Sequence, residues 1–162
     1  MSLERVWFIG DTHFYHNNVI RYCNRPFQNV EEMNNYLITN WNKTINKEDR
    51  VFMMGDFALC GKDNIIEIGN KLQGRKILLL GNHDSASRTT YQLAGFENVY
   101  YFPILFENFI LSHYPIDDCK YNNIHAHSHN KRVNDKTHFC TSVEMINYKP
   151  INFNVIKDYF SI

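Results

Sequence analysis

Three times in this chain a run of four apolar residues stops at a glycine and passes at once to a side chain able to hold a metal. Val6-Trp7-Phe8-Ile9 leads into Gly10-Asp11-Thr12-His13, Val51-Phe52-Met53-Met54 into Gly55-Asp56, and Ile77-Leu78-Leu79-Leu80 into Gly81-Asn82-His83-Asp84. A short unbroken apolar run reads as a strand buried on both faces, as in the parallel sheet of an α/β protein. Glycine lets the chain turn sharply where such a strand ends. The carboxyl edge of the sheet is where these folds place their ligands. Three strands that each deliver an oxygen or nitrogen donor to one edge predict a metal site.

The segments between these runs read as helices and further strands. Asn17 or Asn18 is placed to cap a short helix through about Arg21. Asn29 with Glu32 forms a capping box ahead of an apolar stripe at Val30, Met33, Leu37, Trp41 and Ile45. Asp63 opens a third helix with Ile65, Ile66, Ile68 and Leu72 inward, ended by Gly74, and a helical turn closes at Gly95. Beyond Asn98 the chain becomes β-rich. Val99 to Phe106 and Phe109 to Ser112 read as two strands of a hairpin turning at Glu107-Asn108. Ile124 to His129 and Thr137 to Met145 read as two more, and Asn152 to Tyr159 as a closing helix after Pro150. A βαβαβ half joined to a β-rich half predicts an α/β fold with two β-sheets packed face to face and flanking helices.

A chain of 162 residues, 44% apolar and 21% charged, is expected to form one domain with an ordinary core. Its apolar runs fall far short of the ~20 residues that span a bilayer, so no membrane partner is expected. The first strand begins by residue 6, which leaves no room for a signal peptide and predicts a cytoplasmic protein. Cys23, Cys60, Cys119 and Cys140 lack CxxC spacing and read as free thiols. With 17 basic and 17 acidic residues the formal net charge is zero, so a long nucleic acid is not the expected partner. A phosphate substrate remains open, because bound cations would supply positive charge locally.

The candidate donors are spread along the chain. If Asp11-x-His13 is extended, alternation puts both side chains on one side. Asp56 has two carboxylate oxygens, Asn82 a neutral carbonyl oxygen, and His113 follows Phe109-Ile110-Leu111. His127 and His129, with His125 before them, would share one strand face. Most of these fragments have an ordinary reading alone: a turn aspartate, a packed core histidine. Gly81-Asn82-His83-Asp84 and the run of imidazoles are more specific, since buried imidazoles are costly unless paired or metallated. A nitrogen and oxygen donor set without thiolate suits Mn²⁺, Fe²⁺, Co²⁺, Ni²⁺ or Zn²⁺. His16 and Arg25 are candidates to contact a substrate phosphate, with a capping or surface role as the alternative, and Lys131-Arg132 reads as a solvated loop beside the last donors.

In order, D-x-H, G-D, G-N-H-D, a lone H and A-H-x-H appear as Asp11/His13, Gly55-Asp56, Gly81 to Asp84, His113 and Ala126 to His129. This pattern resembles the calcineurin-like metallophosphoesterase superfamily. The opening Asp11-Thr12-His13-Phe14-x-His16 with Arg25-Pro26-Phe27 is similar to small bacterial and phage members. The resemblance implies a single metallophosphoesterase domain over residues 1–162, an α/β/β/α sandwich. It implies two divalent metal ions, Mn²⁺ foremost, sharing a hydroxide that attacks phosphorus. Asp11, His13, Asp56 and His129 would hold one ion, and Asp56, Asn82, His113 and His127 the other, with Asp56 bridging. His83 would protonate the leaving oxygen and Asp84 would orient the His83 ring. The expected substrate is a small phosphoester, a diester before a monoester. The alternatives are a catalytically silent scaffold of the same fold, or a nuclease. Two departures stand out: Ala126 occupies a position where the family usually has glycine, and Gly55-Asp56-Phe57 lacks the Asp-Arg-Gly continuation of Ser/Thr protein phosphatases. The oligomeric state is not encoded in these motifs.

Overall fold

A computed structural model describes residues 3–117, 120–131 and 136–161. After a short 3-10 turn at Leu3–Arg5, the chain runs β1 (Val6–Ile9), α1 (Asn17–Tyr22), α2 (Val30–Thr44), β2 (Arg50–Met53), α3 (Lys62–Lys71), β3 (Arg75–Leu79), α4 (Arg88–Leu93) and β4 (Phe96–Tyr100). Then come β5 (Ile104–Phe106), β6 (Phe109–Leu111), β7 (Asn122–His125), β8 (His138–Cys140), a 3-10 turn at Val143–Met145, β9 (Ile151–Asn152) and α5 (Phe153–Tyr159). One sheet has the order β4-β3-β2-β1-β9 and the other β5-β6-β7-β8. β1 to β4 are parallel, and β9 closes the first sheet antiparallel to β1.

Strand alternation divides the core in two. Val6, Phe8, Phe52, Met54, Ile77 and Leu79 face Phe109, Leu111 and Ile124 of the second sheet, with Phe153 and Ile156 of α5 closing that layer. Ile9, Val51, Met53 and Leu78 point the other way, onto Met33, Leu37 and Trp41 of α2 and Ile65 and Ile68 of α3. Both faces of the first sheet are therefore covered, which is why its strands read as continuous apolar runs. The expected α/β architecture, two sheets face to face with flanking helices, is the one observed. The Asn29 side chain accepts from the Glu32 backbone N–H, and Glu32 reaches back to the Gln28 N–H, so the α2 cap forms one residue out from the standard box.

Several local expectations are corrected. α1 is capped at His16 without a side-chain bond, and α3 starts after Gly61, not Asp63. The predicted strand from Val99 to Phe106 is two: β4 ends at Tyr100 in the first sheet, and β5 begins at Ile104 in the second. Tyr101-Phe102-Pro103 makes the corner between them, and Pro103 lacks the N–H that a continuing ladder would use. Thr137 to Met145 yields only β8 before a 3-10 turn. Of the cysteines, Cys23, Cys60 and Cys140 are free thiols, and Cys119 lies outside the described residues. Among the described residues no helix is long and apolar enough to cross a membrane.

Candidate metal centre

The loops that follow β1, β2 and β3 are tied to one another by their backbones. The N–H groups of Asp11, His13 and Phe14 donate to the carbonyls of Gly55, Asp56 and Phe57 at 3.0, 2.9 and 2.9 Å. Asp84 then clamps the second loop to the third. Its carboxylate accepts from the N–H groups of Asp56, Phe57 and Gly81 at 2.7, 3.0 and 2.9 Å, and from the Tyr91 hydroxyl at 3.3 Å. This corrects the role expected for Asp84: its oxygens hold the loop backbone instead of orienting the His83 ring. Burial raises the Asp84 pKa to about 6, against the pull of these N–H donors. Gly81 is required by proximity, since a Cβ there would lie 2.2 Å from Asp56 Oδ1 and 2.5 Å from the Asp56 nitrogen.

The seven predicted donors meet where these loops face the end of the second sheet. Donor atoms of Asp11, His13 and His129 all lie within 4.8 Å of one another, and so do those of Asp56, His113 and His127. Asp56 Oδ2 sits between the two groups, 3.5 Å from His13 Nε2 and 3.5 Å from His113 Nε2. Asn82 Oδ1 is 3.0 Å from His113 Nε2 and 3.1 Å from His127 Nδ1, and those two nitrogens are 3.2 Å apart. His113 Nδ1 donates to the Met54 carbonyl at 2.9 Å, which leaves the Nε2 lone pair directed into the cluster. Asp11 Oδ2 accepts from the His127 N–H at 2.8 Å and from the Ser142 hydroxyl. Asp11 Oδ1 and His13 Nε2 are buried without a hydrogen-bond partner among the described residues.

The backbone that brings the donors together is not the extended one expected. Asp11, His13, Asp56, His127 and His129 have φ of 52, 49, 53, 64 and 48°. β7 ends at His125, so strand alternation does not carry on to His127 and His129. The His125 ring instead packs against His138, with centroids 5.6 Å apart. Ala126 is fully buried in the core between the sheets, and a Cβ on Gly10 would lie 2.5 Å from its own. The alanine is accommodated because its neighbour is glycine.

Electrostatics favour the neutral imidazole at His13, His113 and His127. Burial, then the charges of Arg25 and His129, push His13 down to about 2; burial also lowers His113 and His127. Burial raises Asp11 to about 7. Burial would lower His129 too, but contacts with Cys23 and Glu144 and the charge of Asp11 raise it to about 10. Burial thus makes the Asp11 and Asp84 carboxyls resist ionising and three of the imidazoles resist protonation.

His83 stands at the rim. Its N–H donates to Asp56 Oδ1 at 2.9 Å, and its ring lies 5.2 Å from His13 and 5.8 Å from His16. It borders a cleft of about 330 Å³ that Leu59, Lys62, Ser85, Ser87 and Thr90 also line. His16 is beside the cluster, Nδ1 to Nδ1 3.4 Å from His13. Arg25 is corrected. Its guanidinium is buried, with Nη1 donating to the Thr12 carbonyl at 3.0 Å, Nη2 to the Asp11 carbonyl at 2.6 Å and Nε to Glu144 at 2.8 Å. It supports the donors from beneath and has no nitrogen left for a substrate phosphate. Lys131 is exposed, as a solvated loop predicts, and Arg132 lies outside the described residues.

Sequence reasoning missed Glu144, Ser142 and Tyr114. Glu144 accepts from His129 Nδ1 at 3.1 Å, and with Cys23 it forms a third group of potential ligand atoms around His129. The Tyr114 ring lies 4.3 Å from that of His127. Glu144 and Ser142 follow a strand with no recurring spacing, and no local pattern marks them. Tyr114 adjoins His113 and was open to notice as an aromatic next to a donor.

A family profile described as calcineurin-like phosphoesterase matches residues 4–158. An uncharacterised protein of Methanocaldococcus jannaschii is 35% identical, over 96% of this chain and 91% of that protein. The gene 66 protein of Mycobacterium phage L5 is 31% identical over 57% of this chain and 47% of its own length. The crystal structure of an Aquifex aeolicus protein of unknown function matches with a TM-score of 0.76 and 28% identity, covering 94% of this chain and 97% of that one. A Pseudomonas putida nuclease, MPE, shares the fold at a TM-score of 0.56 and 15% identity, over 78% of this chain and 62% of its own. The ordered donor blocks, the paired sheets and the profile covering nearly the whole chain agree: this protein belongs to the calcineurin-like phosphoesterase family.

Proposed function

We propose that this protein hydrolyses a small phosphoester, a diester before a monoester, using two divalent cations with Mn²⁺ foremost. The observation that carries the reading is the position of Asp56 Oδ2, equidistant at 3.5 Å from one imidazole of each donor group. The chain fits such cations on chemical grounds. Asp11 Oδ1 and His13 Nε2 are buried ligand atoms with no hydrogen-bond partner among the described residues, a costly arrangement that a cation would relieve. Three further ligand atoms, on Asn82, His113 and His127, crowd to 3.0–3.2 Å, and with the His113 proton on the Met54 carbonyl only His127 Nδ1 has a proton to share among them. Asp11, His13, His129 and Asp56 would hold one cation, and Asp56, Asn82, His113 and His127 the other. When bound, the pair supplies positive charge to the phosphoryl oxygens and makes a nearby water more acidic.

The protein's own groups do the rest. Asp56 fixes His83 through its N–H, so the His83 ring faces the cleft at a set distance from the donors. His83 gives its proton to the leaving oxygen as the P–O bond breaks. The cleft beside it, about 330 Å³ with Lys62 and the Ser85 hydroxyl in its wall, takes the leaving group. His16, its ring 5.8 Å from that of His83 and beside His13, lies close enough to meet the phosphoryl group.

The deciding assay is turnover of bis-p-nitrophenyl phosphate and p-nitrophenyl phosphate by protein stripped with chelator and reloaded with Mn²⁺. Expected is chelator-sensitive release of nitrophenol, faster on the diester. No turnover of any phosphoester by cation-loaded protein would leave a silent scaffold of the same fold. One observation favours a nuclease as the second reading. Tyr101, Phe102 and Tyr114, 58, 80 and 51% exposed, line or flank the donor end of the second sheet and offer faces on which bases can stack. Cleavage of a single-stranded oligonucleotide well ahead of the small diester would select that reading.

A further inference from the structure

Arg25 and Glu144 are 119 residues apart in sequence and form one buried ion pair, with side chains 0 and 5% exposed. Arg25 Nε and Nη2 both reach Glu144 Oε1 at 2.8 Å. The same oxygen accepts from His129 Nδ1 at 3.1 Å. The remaining guanidinium donors hold the successive carbonyls of Asp11 and Thr12 at 2.6 and 3.0 Å. One charge pair thus touches both chain segments that carry the Asp11, His13 and His129 donors. The other group is backed without an ion pair among the described residues: the Met54 carbonyl orients His113 at 2.9 Å, and the Asp84 carboxylate holds the Asp56 loop through its backbone N–H groups.

We infer that Arg25 and Glu144 are the positioning pair for one cation seat, the one formed by Asp11, His13 and His129, and that they act on the second seat only weakly. This deepens the two-cation reading and rests on it. Glu144 accepts the Nδ1 proton of His129, which fixes the ring's rotation and makes Nε2 the nitrogen that would meet a cation. The Arg25 fork holds two consecutive carbonyls, so Asp11 and His13 stay at φ of 52 and 49°, a strained left-handed backbone. A buried ion pair is a poor device for stability alone, because desolvation offsets most of its attraction. Its geometry here is suited to holding donors in place. Arg25 also neutralises Glu144, which makes the carboxylate an acceptor for His129 in preference to a ligand of its own, although Cys23, His129 and Glu144 place potential ligand atoms within 4.8 Å.

The test is an equilibrium titration of cation-stripped protein with Mn²⁺, counting free ion by electron paramagnetic resonance. Wild type should show two sites. Glu144→Gln should loosen one of them by about 10–100-fold and leave the other unchanged. Arg25→Lys, which keeps the charge but loses the fork, should loosen the same site. If Glu144→Gln folds poorly because Arg25 is stranded, the double replacement Arg25→Met with Glu144→Gln removes both charges together and should still show single-site loosening. Equal loosening of both sites, or a lower melting temperature of the apo variants with both affinities unchanged, would overturn the inference. A third ion on wild type that vanishes in Glu144→Gln would overturn it in favour of Glu144 as a ligand. Fewer than two ions on wild type is a different failure: it removes the two-cation reading itself.

Discussion

At Asp11 and His13 the left-handed backbone, burial and the lack of a hydrogen-bond partner among the described residues coincide. Such residues are tolerated because the surroundings over-determine them. Their protonation has a measurable consequence. His13 falls from 6.5 to about 2 through burial, then through the charges of Arg25 and His129, and burial lowers His113 and His127 as well. Above pH 6.5 such a ring is neutral in both states; below it the unfolded chain takes protons the folded one refuses, and stability falls with acid. Asp11 and Asp84, raised by burial to about 7 and about 6, pull the other way but are outnumbered. His129, raised to about 10, contributes stability that is lost as pH climbs from 6.5. Cation-free protein should therefore be most stable near pH 6.5, and urea midpoints across pH 4.5–9 would check this. A second prediction concerns His83, whose ring is in neither donor group. His83→Ala should keep the full Mn²⁺ content and lose roughly 10²–10⁴ in rate on esters with poor leaving groups. Unchanged rates would take His83 out of the reaction.

Among the elements, the ends of β1, β2 and β3 matter more than their middles. Asp84 accepts from three loop N–H groups. Asp84→Ala strands them, and unfolding in urea should show a loss of roughly 3 kcal/mol; a loss below about 0.5 kcal/mol, as for an ordinary surface change, would refute the clamp. Gly10 and Ala126 form a second coupled pair, with no room for two methyl groups between the sheets. Gly10→Ala should destabilise by about 1–3 kcal/mol, and adding Ala126→Gly should recover much of it; strictly additive losses would show that the two positions do not meet. The sequence disclosed what repeats. Buried strands announce themselves as apolar runs, and the donors of β1, β2 and β3 follow each run directly. It did not disclose where Val99 to Phe106 breaks, because aromatic residues at Tyr100, Tyr101 and Phe102 are apolar on either side of a corner. Nor did it disclose Glu144 or the true place of Arg25, whose meaning lies in a contact spanning 119 residues. Left-handed φ at the donors is only weakly legible, since Asp and His adopt it several-fold more often than most residues yet still uncommonly.

Across the whole molecule the donors divide between the two sheets. Asp11, His13, Asp56 and Asn82 follow strands of the first, while His113, His127 and His129 follow strands of the second. Cations that bind only the folded arrangement stabilise it by mass action, about 2.7 kcal/mol per site at a hundred times the dissociation constant. For a chain of this length that is roughly 5–10 °C in melting temperature per site. Scanning calorimetry with and without Mn²⁺ should show the rise, and chelator should reverse it; an unchanged melting temperature would mean that the donors do not close on a cation. The corner at Tyr101-Phe102-Pro103, where the chain leaves one sheet for the other, then acquires a wider meaning. A break in the peptide there would separate the two halves of the centre onto two fragments, and the metal would become the clasp on which their reassembly depends.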